Sequence, residues 1–211
     1  MKQEVASFLD YVAHSPTVFQ ATQQACDMLD AAGFTRLSEH EAWEILPGGR
    51  YYVTRNRSAL VAFAVPENGF THCQIVASHG DSPTFKLKAH AEGEAAGAYI
   101  RLDVEPYGGM IMSTWFDRPL SIAGRALVRE DGRLVTRLID LDRDAALIPN
   151  MPIHFNRDIN SGYSYNPQTD MLPLFGGKDA KGALAAEIAA KAGAKEEDVV
   201  ACDLSLIHIS E

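Results

Sequence analysis

Near residue 84 the chain changes its hydrophobic period, and that change divides it into two kinds of structure. Before it, apolar side chains at Val5, Phe8, Leu9 and Val12 recur at i, i+3, i+4 and i+7, the spacing of an amphipathic helix over residues 3 to 14. Ser15-Pro16 ends that helix and restarts a second, with Ser as N-cap and Pro at the first helical position. Its buried stripe is Val18, Thr22, Cys26 and Leu29, and Gly33 is its stop. The segments YYVTR (51–55) and ALVAFAV (59–65), joined at Asn56-Arg57-Ser58, predict a β-hairpin. CQIVAS (73–78) is almost wholly apolar and predicts a strand buried on both faces of a sheet. After residue 84 come FKLKAHA (85–91), AYIRLDV (98–104), IAGRALVR (122–129) and LVTRLIDL (134–141), with a tight turn at Glu130-Asp131-Gly132. No helix-period segment interrupts them, so a mostly antiparallel β unit follows, with a boundary near residue 84. Residues 142–175 are rich in loops, and GALAAEIAAKAG (182–193) returns to a helix ended by Gly193.

Composition narrows the function classes. Of the 211 residues 46% are hydrophobic, enough for a core, and the net charge of −9 disfavours nucleic acid or anionic lipid as a partner. No apolar run reaches the roughly 20 residues of a membrane-spanning helix, and the first residues lack a signal-peptide stretch. A cytoplasmic location is the expectation. Cys26, Cys73 and Cys202 are too few and too far apart for a disulfide framework or a Cys-x-x-Cys metal site, and are expected to be small buried residues.

Three segments could carry chemistry. Ser78-His79-Gly80-Asp81-Ser82-Pro83 follows the apolar run, where open α/β sheets place ligand sites at the carboxyl ends of strands. In His79-x-Asp81 the imidazole can bind a divalent metal, and the carboxylate can fix a tautomer; otherwise His79 caps a strand and Asp81 starts a turn. In IPNMPIHFNR (148–157), His154 opposes Ile153 and Phe155 if the segment is extended, leaving it a metal ligand, a substrate contact or a solvated side chain. The stretch VEPYGG (104–109), then TWFDRP (114–119), is a glycine-hinged, aromatic-rich loop suited to packing or a subunit interface, with Asp117 and Arg118 able to bridge chains or join a polar network. Gly-x-Ser-x-Gly, Walker and Rossmann glycine patterns are absent from the sequence, so nucleophilic serine and nucleotide chemistry have no support.

Taken in order, FLDYVAHSPTVFQA, AGFTRL, GGRYYVTRNRSALVAF, SHGDSPTFKLK, VEPYGG, TWFDRPLSIAGR and IPNMPIHFNRDIN resemble the aspartyl aminopeptidase family of zinc metallopeptidases across residues 5 to 203. One departure is Gly80, where that family usually has Thr. The resemblance implies an α/β zinc-peptidase catalytic domain interrupted by a β-rich dimerisation domain. Residues 1–84 would be the N-terminal part of the former, and 85–203 the inserted domain, complete or not. By the same resemblance His79 would bind zinc and Asp81 would be the catalytic carboxylate that orients the site. His154 would either bind metal or reach a neighbouring subunit's active site. The implied cofactor is Zn2+, two ions per complete site, and the implied reaction is removal of N-terminal Asp or Glu from peptides, with a bridging water as nucleophile and a glutamate as base. Large homo-oligomers built from dimers are implied too.

Two zinc ions, each wanting about four ligands, cannot be held by His79 and Asp81 alone, so the 211-residue chain is expected to be an inactive fragment of its parent. The competing readings are a related dizinc hydrolase of acyl-amino bonds and a non-catalytic oligomerisation fragment. The closing octapeptide Leu204 to Glu211 (LSLIHISE) matches the translation of a transposase sequencing adapter. Genuine sequence is therefore expected to stop at about Asp203 or Leu204, which removes His208 from the possible ligands.

Overall fold

The structure is a computed structural model describing residues 2–208, and the chain divides between Ser82 and Pro83 into two compact units. The first unit begins with helices α1 (Gln3–Ala13) and α2 (Val18–Ala31). The N-cap of α2 is Thr17, two residues beyond the expected Ser15, because the Thr17 hydroxyl is the one that accepts from the Phe19 amide (3.3 Å). At its other end Gly33, at φ +76°, allows the Phe34 amide to reach back to the Leu29 carbonyl and the Gly33 amide to that of Asp30. This double bond pattern closes a helix on a left-handed residue. Three strands follow, β1 (Thr35–Leu37), β2 (Arg50–Arg55) and β3 (Ala59–Ala64), ordered β1-β2-β3 with β1 parallel and β3 antiparallel to β2. Asn56 and Arg57 both take positive φ in the β2–β3 turn. Tyr52, fully buried on β2, donates its hydroxyl to Asp30 at 2.7 Å and so ties the sheet to α2.

The apolar run 73–78 does not form the expected buried strand. Residues 65–83 have no regular secondary structure, and Ile75 and Val76 are 81% and 91% exposed. A strand needs hydrogen-bonding neighbours as well as apolar side chains, and no described residue pairs with this segment. The cysteine expectation also fails in part: Cys26 is buried, but Cys73 lies in this open segment and Cys202 is exposed.

The second unit is built from β4 (Thr84–Ala95), β5 (Tyr99–Tyr107), β6 (Pro119–Glu130), β7 (Arg133–Asp140), β8 (Ala146–Leu147), β9 (Leu174–Gly177), helix α3 (Ala183–Ala192) and β10 (Val199–His208). All strand pairings are antiparallel, in the order β10-β4-β5-β9-β8-β6-β7, and β10 also pairs along β6. The sheet thus closes on itself as a six-stranded barrel, with β7 folded out as a hairpin through the Asp131-Gly132 turn. Phe85, Leu102, Leu120, Ile122, Ile148 and Leu206 fill its core at 0% exposure. The closing seam is pinned by polar groups too: Lys86 pairs with Asp203 (2.8 Å), and Thr84 donates to the Leu206 carbonyl (2.6 Å). Gly124 sits at φ +155° opposite Leu204, where a β-carbon would lie 2.1 Å from the Asp203 carbonyl oxygen. α3 packs on β6 and β7, and its N-terminus receives the Glu92 carboxylate, which accepts from the Gly182 and Leu184 amides (2.6 and 3.1 Å).

Residues 204–208 of the closing octapeptide continue β10, with Leu204 and Leu206 buried. Ser205 between them is buried as well, at 8% exposure; residues 209–211 lie outside the described residues.

Candidate functional site

The open segment that follows β3 delivers His79 and Asp81. Their side chains meet: His79 Nδ1 lies 2.6 Å from Asp81 Oδ1, with the imidazole 90% and the carboxylate 27% exposed. A carboxylate can only accept, so Nδ1 carries the proton and Nε2 keeps the lone pair that a metal takes. This is the arrangement in which an outer carboxylate orients a metal-binding imidazole. Gly80 between them has no steric need to be glycine, since a β-carbon there would meet only Val18 and Ser58 at ordinary distances of 3.8 and 3.9 Å. A β-carbon at this position is therefore accommodated without a clash.

The pair supplies one imidazole nitrogen and one carboxylate. Among the described residues no group of three or more His, Cys, Asp or Glu side chains is arranged to hold a metal ion. The donor chemistry suits zinc, but the donor number falls short of the four it prefers, and no reaction step through a metal follows from these residues.

His154 lies in the other unit, on the long loop between β8 and β9. Residues 153–155 form a turn closed by the Phe155 amide on the Pro152 carbonyl (2.9 Å), so the segment is not extended and the expected two-faced alternation is lost. Two prolines in five residues, Pro149 and Pro152, withhold the amides that a strand would need. His154 is exposed, as are Ile153 (45%) and Phe155 (81%). Beside it is a pocket of about 360 Å3 whose walls include Phe116, Met151, Pro152, Phe155, Tyr163 and Tyr165. Asp170 organises its rim by accepting from the Tyr163 hydroxyl (3.0 Å), the Asn166 amide (2.8 Å) and the Thr169 hydroxyl (3.1 Å). The bond to Asp170 raises the Tyr163 pKa, because the carboxylate holds the phenol proton.

Sequence reasoning did not single out Asp170 or Glu92; the partners of Glu92 are backbone amides, and Asp170 joins the Asn166 amide to the Tyr163 and Thr169 hydroxyls, none of which a residue pattern reveals. His208 packs edge-on against Trp115 (4.2 Å between rings) and takes a hydrogen bond from Arg118 (3.0 Å). Burial and then the Arg118 charge lower its pKa, and it joins no cluster of metal donors among the described residues. No helix there is long and apolar enough to cross a membrane.

Residues 11–211 match the family described as aminopeptidase I zinc metalloprotease (M18). The chain is 43% identical over 186 residues to the probable M18 family aminopeptidase 2 of Clostridium acetobutylicum, covering 83% of this chain and 42% of that one. It is 44% identical over 177 residues to aspartyl aminopeptidase 1 of Schizosaccharomyces pombe, covering 80% and 37%. Among solved structures it superposes on Ape4 in a cryo-EM complex with Nbr1 (TM-score 0.88, 35% identity, 95% of this chain and 43% of that). The mApe1 dodecamer of S. cerevisiae superposes with TM-score 0.80 at 25% identity, over 99% and 49%. The chain spans about two-fifths of the length of the curated relatives it matches. With the match running from residue 11 to residue 211, the chain belongs to the M18 family of aminopeptidases.

Proposed function

We propose that this chain is part of a zinc-dependent aminopeptidase that removes N-terminal Asp or Glu from peptides in the cytoplasm. The observation that carries the reading is the His79–Asp81 pair at 2.6 Å, which leaves one imidazole nitrogen of an exposed side chain for a metal. In this reading the unit ending at Ser82 is the N-terminal part of the catalytic domain, and the unit from Pro83 is the dimerisation domain inserted into it. His79 binds one of two zinc ions and Asp81 fixes its tautomer; zinc supplies the Lewis acid for amide hydrolysis. His154, exposed on the β8–β9 loop, acts at a metal or at the active site of a neighbouring copy. The name of the S. pombe relative supports the acidic preference, and the dodecamer of S. cerevisiae mApe1 supports a homo-oligomer.

The remaining zinc donors and the general base then come from sequence beyond these 211 residues, and this chain alone is inactive. The test is to express the full-length gene product beside this chain and to measure release of N-terminal Asp, Glu and Ala. The full-length protein should release Asp and Glu, lose that activity to a chelator and regain it with zinc. Turnover by the 211-residue chain, or a preference for Ala, would overturn the reading.

A further inference from the structure

The TWFDRP stretch is unused by the proposed chemistry, yet it touches both roots of the loop that carries His154. On the outgoing limb Phe116 bridges Ile148, and the Asp117 amide donates to the Ile148 carbonyl (2.9 Å). Asp117 Oδ1 then accepts from the Asn150 amide (2.9 Å). Ile148 is fully buried, whereas Met151, Ile153 and Phe155 are 47%, 45% and 81% exposed. The Asn150 amide is thus the last bond tying this limb to the barrel before His154. On the returning limb the Tyr165 ring packs on Phe116, 5.0 Å between centroids. Adjacent residues therefore hold one loop at its start and again at Tyr165.

Asp117 does this from a backbone at φ +53°, a region that Asp and Asn tolerate better than other non-glycine residues. Two demands meet at this position: a left-handed backbone, and an oxygen acceptor three bonds from Cα. Glycine satisfies the first alone, alanine neither, and asparagine both. The geometry points to Asp117 as a positioning residue that fixes the His154 loop through the Asn150 amide. It does not touch the reacting groups; it sets where His154 is held. The functional half of this inference rests on the role proposed above for His154.

The substitution series separates acceptor from backbone. In the 211-residue chain, amide exchange is followed by NMR in Asp117→Gly and Asp117→Asn. The glycine variant should speed exchange at Asn150 by about tenfold, the effect of removing one net hydrogen bond, while the asparagine variant stays within about threefold. In the full-length enzyme kcat/KM should fall by a similar factor in Asp117→Gly and be rescued in Asp117→Asn, with an unchanged pH profile. Unchanged Asn150 exchange in Asp117→Gly overturns the latch, as does equal loss of activity in both variants. His154→Ala is made in parallel. Full activity there, with faster exchange in Asp117→Gly, sinks the role given to His154 and upholds the latch.

Discussion

Gly124 offers a sharp test of the barrel closure, because its side-chain position is occupied by the backbone of another strand. A β-carbon there would lie 2.1 Å from the Asp203 carbonyl oxygen, 2.9 Å from Leu204 Cα and 3.0 Å from the Asp203 carbonyl carbon. None of these is the end of a flexible side chain. To reach ordinary contact, β10 must move by roughly 1 Å or more, breaking its ladder to β6 in the middle of a register that runs from Leu120 to Val128. Overpacking of this kind costs about 1–3 kcal/mol. Holding alanine at φ +155° adds about 1–3 kcal/mol, since that region is almost reserved for glycine. Gly124→Ala should therefore lose about 2–6 kcal/mol, a large share of the roughly 5–15 kcal/mol typical of a domain. Gly132→Ala is the control. It too has positive φ (+75°), but nothing lies within 4 Å of its would-be β-carbon, so only the left-handed cost of about 1–2 kcal/mol remains. Trp115, 7% exposed in the barrel, reports unfolding of this unit once Trp43 is replaced by Phe. With a urea slope of about 2 kcal/mol/M, the Gly124→Ala midpoint should fall by about 1–3 M. A fall below about 0.5 M, or one no greater than that of Gly132→Ala, would refute the closed seam.

Removing the Glu92 carboxylate by Glu92→Ala leaves the Gly182 and Leu184 amides without their acceptor and should cost about 1 kcal/mol, with faster exchange in the first turn of α3. Burial, and then the neighbouring Asp142 charge, raise the Asp140 pKa against the bond it accepts from the Asp142 amide. A raised folded pKa means stability that is complete below the unfolded carboxylate pKa and lost as pH rises through the folded one. Asp140→Asn should therefore raise the urea midpoint at pH 7 and leave it unchanged near pH 3; the opposite order would contradict the burial argument. Burial and the bond to Asp30 push Tyr52 up to about 12, so the unfolded chain ionises first and stability falls from about pH 10 up to that value. Tyr52→Phe should flatten this alkaline slope and cost about 1 kcal/mol at pH 7, measured by denaturation across the pH range.

What the sequence discloses well is what neighbouring residues decide. The second helix with Thr22 and Cys26 buried, Gly33 and Gly193 at helix ends, and the turns at Asn56-Arg57 and Asp131-Gly132 all appear where local pattern places them, although Phe19 and Gln20 are buried more deeply than the expected Val18 and Leu29. The His79–Asp81 contact belongs here too, because two residues of separation put both side chains within reach. Barrel closure is different in kind: β10 meets β6 across some eighty residues of chain, and nothing in Val199–His208 says which strand it will join. The same ignorance produced the error at 73–78, where apolar side chains suggest a buried strand but the partners that make one lie elsewhere in sequence. The extended limb through His154 is absent for a local reason, since Pro149 and Pro152 withhold the amides that a strand needs. Asp117 stands out in the TWFDRP motif, but its partner, the Asn150 amide, does not, and the acceptor role of Glu92 has no signal at all, because the backbone has no letter in the sequence.

The two units differ in how they would behave in a crowded solution. The barrel has joined the edges of its ring strand to strand, and its protruding hairpin carries Arg133 and Arg137, charges that discourage further pairing. The three-stranded sheet ends on β3, with Val61 61% exposed, and is followed by a segment that leaves Phe70, Ile75 and Val76 in water. Such an edge is a template that does not discriminate between its own chain and the next. Self-association of this chain is therefore expected to rise with its concentration.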